Sequence, residues 1–201
     1  MHAIFDDIKL YLPKYLSHEK QSALFDNLAS FPENLDKRFY SSQLKFLQEI
    51  FQGDGFSGVL FPNYEKKQFH ELKALLISNT CDSSLSNTRL YKPYVSFTPI
   101  FSLKKYENVL LSKHDKSKVF SHIEAIKKQK VTPFFFLPGF SLLAEECFAR
   151  LDCMFSLELS EKLVENLLAN RLFSLSNYGF YMLLLKLSIH LTRVQESLDR
   201  G

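Results

Sequence analysis

The chain has 201 residues, of which 46% are hydrophobic and 23% charged, with a formal net charge of +3; this fits one globular domain with a full core and excludes a disordered chain. The pI near 8.6 is below the strong basicity that marks a dedicated nucleic-acid domain. No apolar run reaches the ~18 residues that a membrane-spanning helix needs, and Met1 leads into Asp6 and Asp7 with no apolar leader core, so a cytoplasmic bacterial protein without membrane association is expected.

Ile4, Phe5, Ile8, Leu12 and Leu16 are spaced as on one helix face, with Pro13 as a kink. Ser17 is placed to cap a second helix running to about Ala29, and Phe31-Pro32 ends it. Leu44 to Phe51 fits a helix or half of a strand, and a strand ending near Gln52 is expected, closed by the turn Gly53-Asp54-Gly55. Phe56 to Phe61 and Leu72 to Ser78 read as strands with a charged loop over 65–70 between them. A long polar loop, Asn79 to Pro93, leads to a further strand, Val95 to Phe101.

Leu103, Tyr106, Leu110 and Leu111 predict a short helix, and Val119, Ile123 and Ile126 a second one. Pro133 to Leu137 and Glu146 to Phe155 are strand-like, and Ser160 caps a helix through Leu168. The last element runs from Leu175 to about Leu198 with the stripe Phe180, Leu184, Leu187, Leu191 and Val194, and is expected to pack across the sheet. The fold class is therefore α+β, one compact domain. It divides into an N-terminal helical segment (1–43), a small antiparallel β-barrel (44–159, with helices inserted at about 103–130), and C-terminal helices (160–201), one of them long, that pack on it.

The polar turn Asn79-Thr80-Cys81-Asp82 follows the clearest strand, the place where a rigid scaffold presents polar groups. These four residues, with Arg89 and Ser102, are the candidate ligand-binding set, and Cys81, Asp82 and Arg89 the candidate catalytic ones. The neighbouring Asp82 carboxylate disfavours a Cys81 thiolate unless Arg89 offsets it. The competing reading is a turn capped by its own side chains with Cys81 packed inward. Lys116, Lys118, Lys127, Lys128 and Lys130 are candidates for phosphate contact, or the wet side of an amphipathic helix. Cys81, Cys147 and Cys153 lack metal-ligand spacing and the six histidines are unpaired, so no metal and no cofactor are implied; the odd cysteine count fits a reducing compartment. Gly53, Gly55 and Gly58 match G-x-G-x-x-G, but a strand pattern follows where a dinucleotide site needs a helix.

Leu75-Leu76-Ile77-Ser78-Asn79-Thr80-Cys81-Asp82, with Phe97-Thr98-Pro99-Ile100 after it, resembles a group of uncharacterised bacterial proteins sharing an I-S-N/Q-x-C-D turn. Gly53-Asp54, Ala74 to Asn79 and Pro99-Ile100 are similar in order to the MazF/PemK ribonuclease toxins over roughly residues 52–137. That resemblance implies an SH3-like barrel. Where those toxins carry an arginine and a proline before the strand this chain has Leu72 and Lys73, and Phe101 then Ser102 follow Pro99-Ile100.

Three functions follow as expectations. One is a non-catalytic interaction module of a bacterial toxin–antitoxin or phage-defence system, with a protein partner foremost and nucleic acid or a second copy of the chain as the others. Another is a toxin-related endoribonuclease using Arg89, Ser102 or the lysine helix in displaced roles. The third is an enzyme built on Cys81 and Asp82.

Overall fold

The computed structural model describes residues 39–44, 47–63 and 65–192; the two expected N-terminal helices fall outside them. Among the described residues seven strands pair in one antiparallel sheet. They are β1 (Gly55–Asn63), β2 (Gln68–Leu76), β3 (Tyr94–Ser102), β4 (Phe134–Leu137), β5 (Cys147–Arg150), β6 (Phe155–Glu158) and β7 (Arg171–Phe173). Four helices accompany them: α1 (Leu103–Leu111), α2 (Lys116–Lys127), α3 (Glu161–Ala169) and α4 (Asn177–Thr192). The path runs β4-β5-β3-β2-β1-β7, with β6 also paired to β3. Its two ends do not join, so the sheet is not closed into a barrel.

Sequence alternation explains the layering, because successive strand residues face opposite sides. Leu75, Ile100, Phe135, Leu137 and Ala149 share one face and pack against Tyr178, Tyr181, Met182, Leu183 and Leu187 of α4, with Phe39 and Tyr40 beside them. On the other face Phe56, Ala74, Leu76, Val95 and Phe97 meet Leu159 and Leu167 at α3. Farther along it, Phe134, Phe136 and Phe148 pack with Leu103, Val119, Ile123 and Ile126 from α1 and α2. Each such buried Leu or Phe contributes about 1.5–3 kcal/mol. The many phenylalanines work here as stacked and edge-on pairs, such as Phe134 with Phe148 at 4.8 Å and Phe97 with Phe155 at 5.8 Å between ring centres.

Several expectations need correction. The described residues 44 and 47–52 form bends and turns, not a strand. The backbone carbonyls of Leu44, Leu47 and Glu49 accept from the Arg171 guanidinium instead of a neighbouring strand. β2 starts at Gln68 inside the expected charged loop, after a tight turn in which Lys67 has φ +51. The run from Glu146 to Phe155 is two strands along the same side of β3, parted by a 3-10 turn at Leu151–Cys153 where Arg150 forks onto Asp152 at 2.9 and 2.6 Å. The three-residue β7 has no counterpart among the expected strands.

The α4 stripe is also rotated from its expected position. Its buried face is Tyr178, Tyr181, Met182, Leu183, Lys186 and Leu187, whereas Leu191 is exposed and Phe180 and Leu184 are flanks; Val194 lies outside the described residues. Polar atoms on Tyr178, Tyr181 and Lys186 hide this face from a hydrophobicity count. Gly179 belongs to it by close approach: a Cβ there would lie 2.4 Å from the Phe39 carbonyl oxygen.

Lys186 has a specific task. α2 ends with Gln129 at φ +55, and the Lys130 N–H reaches back to the Ala125 carbonyl at 2.8 Å, a left-handed helix stop. The Lys186 Nζ donates to the carbonyls of Gln129 and Val131 just past that stop, where the helix dipole favours a cation. The Gln129 side chain meanwhile pairs with both backbone groups of Phe136 on the sheet edge, at 3.0 and 2.9 Å. One buried lysine thus ties α4, α2 and β4 together.

Candidate functional site

The loop after β2 is built by its own side chains. Asn79 Oδ1 accepts from the Cys81 N–H at 2.9 Å, the turn its residue type favours. The Ser83 hydroxyl donates to the Asn79 carbonyl at 3.0 Å. Thr80 Oγ1 accepts from the Gln52 N–H at 3.1 Å, and the Gln52 side chain donates to the Ile77 carbonyl at 2.6 Å, so the loop base is fastened to the segment before β1.

Arg89 closes the loop from its far end. Its guanidinium donates to the Cys81 carbonyl at 2.8 Å and the Ser84 carbonyl at 3.1 Å, and stands 3.7 Å from Asp82. The Arg89 side chain is only 11% exposed. It is a clamp on backbone carbonyls rather than a cation presented to solvent, and it leaves Cys81 an exposed free thiol. Asn79, Thr80, Cys81, Asp82 and Arg89 therefore do come together, in the arrangement of a capped turn.

A second arginine does the same to the facing segment. Arg171, at the start of β7, is 3% exposed in its side chain, and its Nε lies 3.3 Å from Asp54 Oδ2. Its terminal nitrogens donate to the carbonyls of Leu44, Leu47 and Glu49. Asp54 Oδ2 also accepts from the Phe51 N–H at 3.0 Å. Burial pushes the Asp54 carboxyl up to about 6, with Arg171 the largest opposing influence. A fork of N–H donors suits several carbonyls at once, which a lysine could not match.

Between the two clamped segments lies a cleft of about 260 Å³, lined by Gln48, Glu49 and Ile50 on one side and Thr80, Ser83, Ser84, Leu85 and Ser86 on the other, with Val164 of α3. Thr80, Ser83, Ser84 and Ser86 bring hydroxyls to its lining, Ile50, Leu85 and Val164 bring apolar surface, and Glu49 supplies the one charge among the described lining residues.

The remaining candidates lie elsewhere. Ser102 is the N-cap of α1: its hydroxyl accepts from the Lys105 N–H at 3.3 Å and donates to Glu145 at 2.6 Å. The loop joins β3 near Ser96, whose carbonyl accepts from the Ile77 N–H. At the rise of an extended strand, Ser102 is roughly 20 Å further along. Lys116 and Lys118 lie on α2 and Lys127 at its end, beside the Lys128 cap. Lys118 faces Asp115 at 3.8 Å and Lys127 faces Glu146 at 2.9 Å, so this is a mixed-charge helix face. Cys147 is buried, which pushes its thiol up to about 11. No cluster of three metal-ligating side chains occurs among the described residues, and none of their helices is long and apolar enough to cross a membrane.

Sequence reading missed Glu49, Leu85 and Val164 as lining of the cleft and Arg171 as the residue that holds its facing wall. Only Gly53-Asp54-Gly55, a carboxylate between two glycines, hinted that the turn served a further purpose. No protein-family model matches the chain, and no curated protein is significantly similar to it.

Proposed function

We propose that the chain is a non-catalytic binding module whose recognition site is the cleft between residues 48–50 and the 79–93 loop, and whose partner is a protein. The observation that carries this reading is the double arginine clamp. Arg171 and Arg89 both use their guanidinium groups on backbone carbonyls, holding two walls of a solvent-open cleft in fixed positions. Pre-set walls lower the ordering cost of association. The same loop presents Leu85, Leu90 and Tyr91 to solvent, apolar groups of the kind interfaces cover. The consecutive antiparallel pairing of β1, β2 and β3 supports an SH3-like relationship for this part of the sheet. We place the module in a bacterial toxin–antitoxin or phage-defence system on the toxin resemblance.

The endoribonuclease reading needs a free cation and hydroxyl near one another. Arg89 is engaged by two carbonyls and Ser102 caps a helix far along β3, which favours binding over cleavage. Incubation of the purified protein with long mixed-sequence single-stranded RNA, with and without divalent metal, tests the choice. Intact RNA on a denaturing gel is the expected result. Cleavage that disappears in an Arg89→Ala variant would overturn the non-catalytic reading.

A further inference from the structure

We infer that the cleft takes a basic side chain, arginine or lysine, from the protein partner; this rests on the binding reading above and adds the chemistry of what enters. Charge is the first reason. Each arginine behind the walls faces a carboxylate, Arg171 with Asp54 at 3.3 Å and Arg89 with Asp82 at 3.7 Å, so neither leaves an uncompensated cation at the site. The charge that remains in the lining is the carboxylate of Glu49, an exposed residue with no ion-pair partner among the described residues. A phosphate or carboxylate would meet that negative charge with no cation among the described lining residues to balance it.

Shape and hydrogen bonding agree. Arginine and lysine carry a flexible apolar stem below a cationic head. Ile50, Leu85 and Val164 offer a surface for the stem, and Glu49 with the hydroxyls of Ser84 and Ser86 offers acceptors for the head. Those two hydroxyls lie 2.7 Å from each other, so at least one lone pair of the pair remains for an incoming donor. The Glu49 backbone is held through its own carbonyl by Arg171, which fixes the point on the rim from which its side chain leaves.

The test is a titration of the ¹⁵N-labelled full chain with Nα-acetyl-arginine methylamide and with its neutral isostere, Nα-acetyl-citrulline methylamide. Amide shifts at Gln48–Ile50 and Thr80–Ser86 are expected from the arginine probe, with affinity about threefold to fivefold above the citrulline probe, the gain of one exposed charge pair. Glu49→Gln keeps the backbone carbonyl that Arg171 binds and should erase the difference. Glu65→Gln, at the β1–β2 turn, should leave it intact. Equal shifts from both probes at the cleft would overturn the basic-side-chain assignment while keeping the cleft as a binding site. Shifts absent from the cleft, or a preference unmoved by Glu49→Gln, would also overturn the assignment; the cleft reading itself is decided separately, by partner cross-linking at Leu85.

Discussion

The Arg171 Nε stands 3.3 Å from Asp54 Oδ2, and neither side chain is more than 3% exposed. The same guanidinium reaches three carbonyls more than 120 residues earlier in the chain. Removing one member of a buried charged pair leaves the other uncompensated. Arg171→Met should therefore lower stability by about 3–5 kcal/mol in chemical denaturation. Arg171→Lys should rescue little, because a point ammonium cannot serve the carboxylate and three carbonyls together. Replacing both partners, Asp54→Leu with Arg171→Met, should recover part of the loss. Wild-type stability in Arg171→Met would show that the clamp holds nothing.

Asp54 gives that pair a pH dependence of unusual sign. Its carboxyl is raised by burial from 3.8 to about 6 in the folded protein. Between those values the folded state holds a proton that the unfolded state has released. This group's contribution therefore strengthens as pH falls from about 6 to about 4, by roughly 3 kcal/mol at full titration, and weakens as pH rises through the same window. Asp54→Asn should remove this component from the pH–stability curve. A curve identical in wild type and variant between pH 4 and 6 would contradict it.

Lys186 behaves in the mirror sense at higher pH. Burial brings its amine from 10.5 down to about 8. Between these values the unfolded state binds the extra proton, so stability from this group rises as pH goes from about 8 to 10. The neutral amine still has N–H groups for the Gln129 and Val131 carbonyls, so the cap survives deprotonation. Lys186→Met should flatten this rise and also lose stability at pH 7, since the Gln129 carbonyl loses its donor and the Val131 carbonyl keeps only the Phe134 N–H. A rise of equal size in the variant would assign the effect to another group.

Arg89→Ala should leave the sheet folded and release the loop. Two charge-assisted hydrogen bonds to carbonyls vanish, at a cost of about 1–3 kcal/mol confined to residues 79–93. Amide exchange should accelerate over 81–89 and remain unchanged in β2 and β3. Acceleration throughout the sheet, or nowhere, would contradict the local role.

The sequence made the apolar strands and helix caps legible where short-range chemistry decides them. Ser160 caps α3 by accepting from the Leu163 N–H at 3.2 Å, as its position before the periodic run implies. Val119, Ile123 and Ile126 are all buried on α2, as their spacing predicts. What escaped was long-range. Residues 44–52 have an ambiguous period, and the carbonyls of Leu44, Leu47 and Glu49 are bound by Arg171 from a strand of three residues, too short to leave a pattern. The buried Lys186 reads as surface in any hydrophobicity count, because its partners are carbonyls at the end of another helix. The candidate site was half legible: the 79–89 turn is readable from Asn79 and Asp82, but the facing wall depends on a contact no local window contains.

Site-specific photo-crosslinking in cells that naturally make this protein tests the binding reading most directly. A benzophenone amino acid would replace Leu85 at the cleft or, as a control, the exposed Phe69 on β2. The account expects a discrete protein adduct from position 85, none from position 69, and loss of the adduct when Arg89→Ala releases the loop. No adduct from position 85, or equal adducts from both positions, would contradict the cleft as the recognition site.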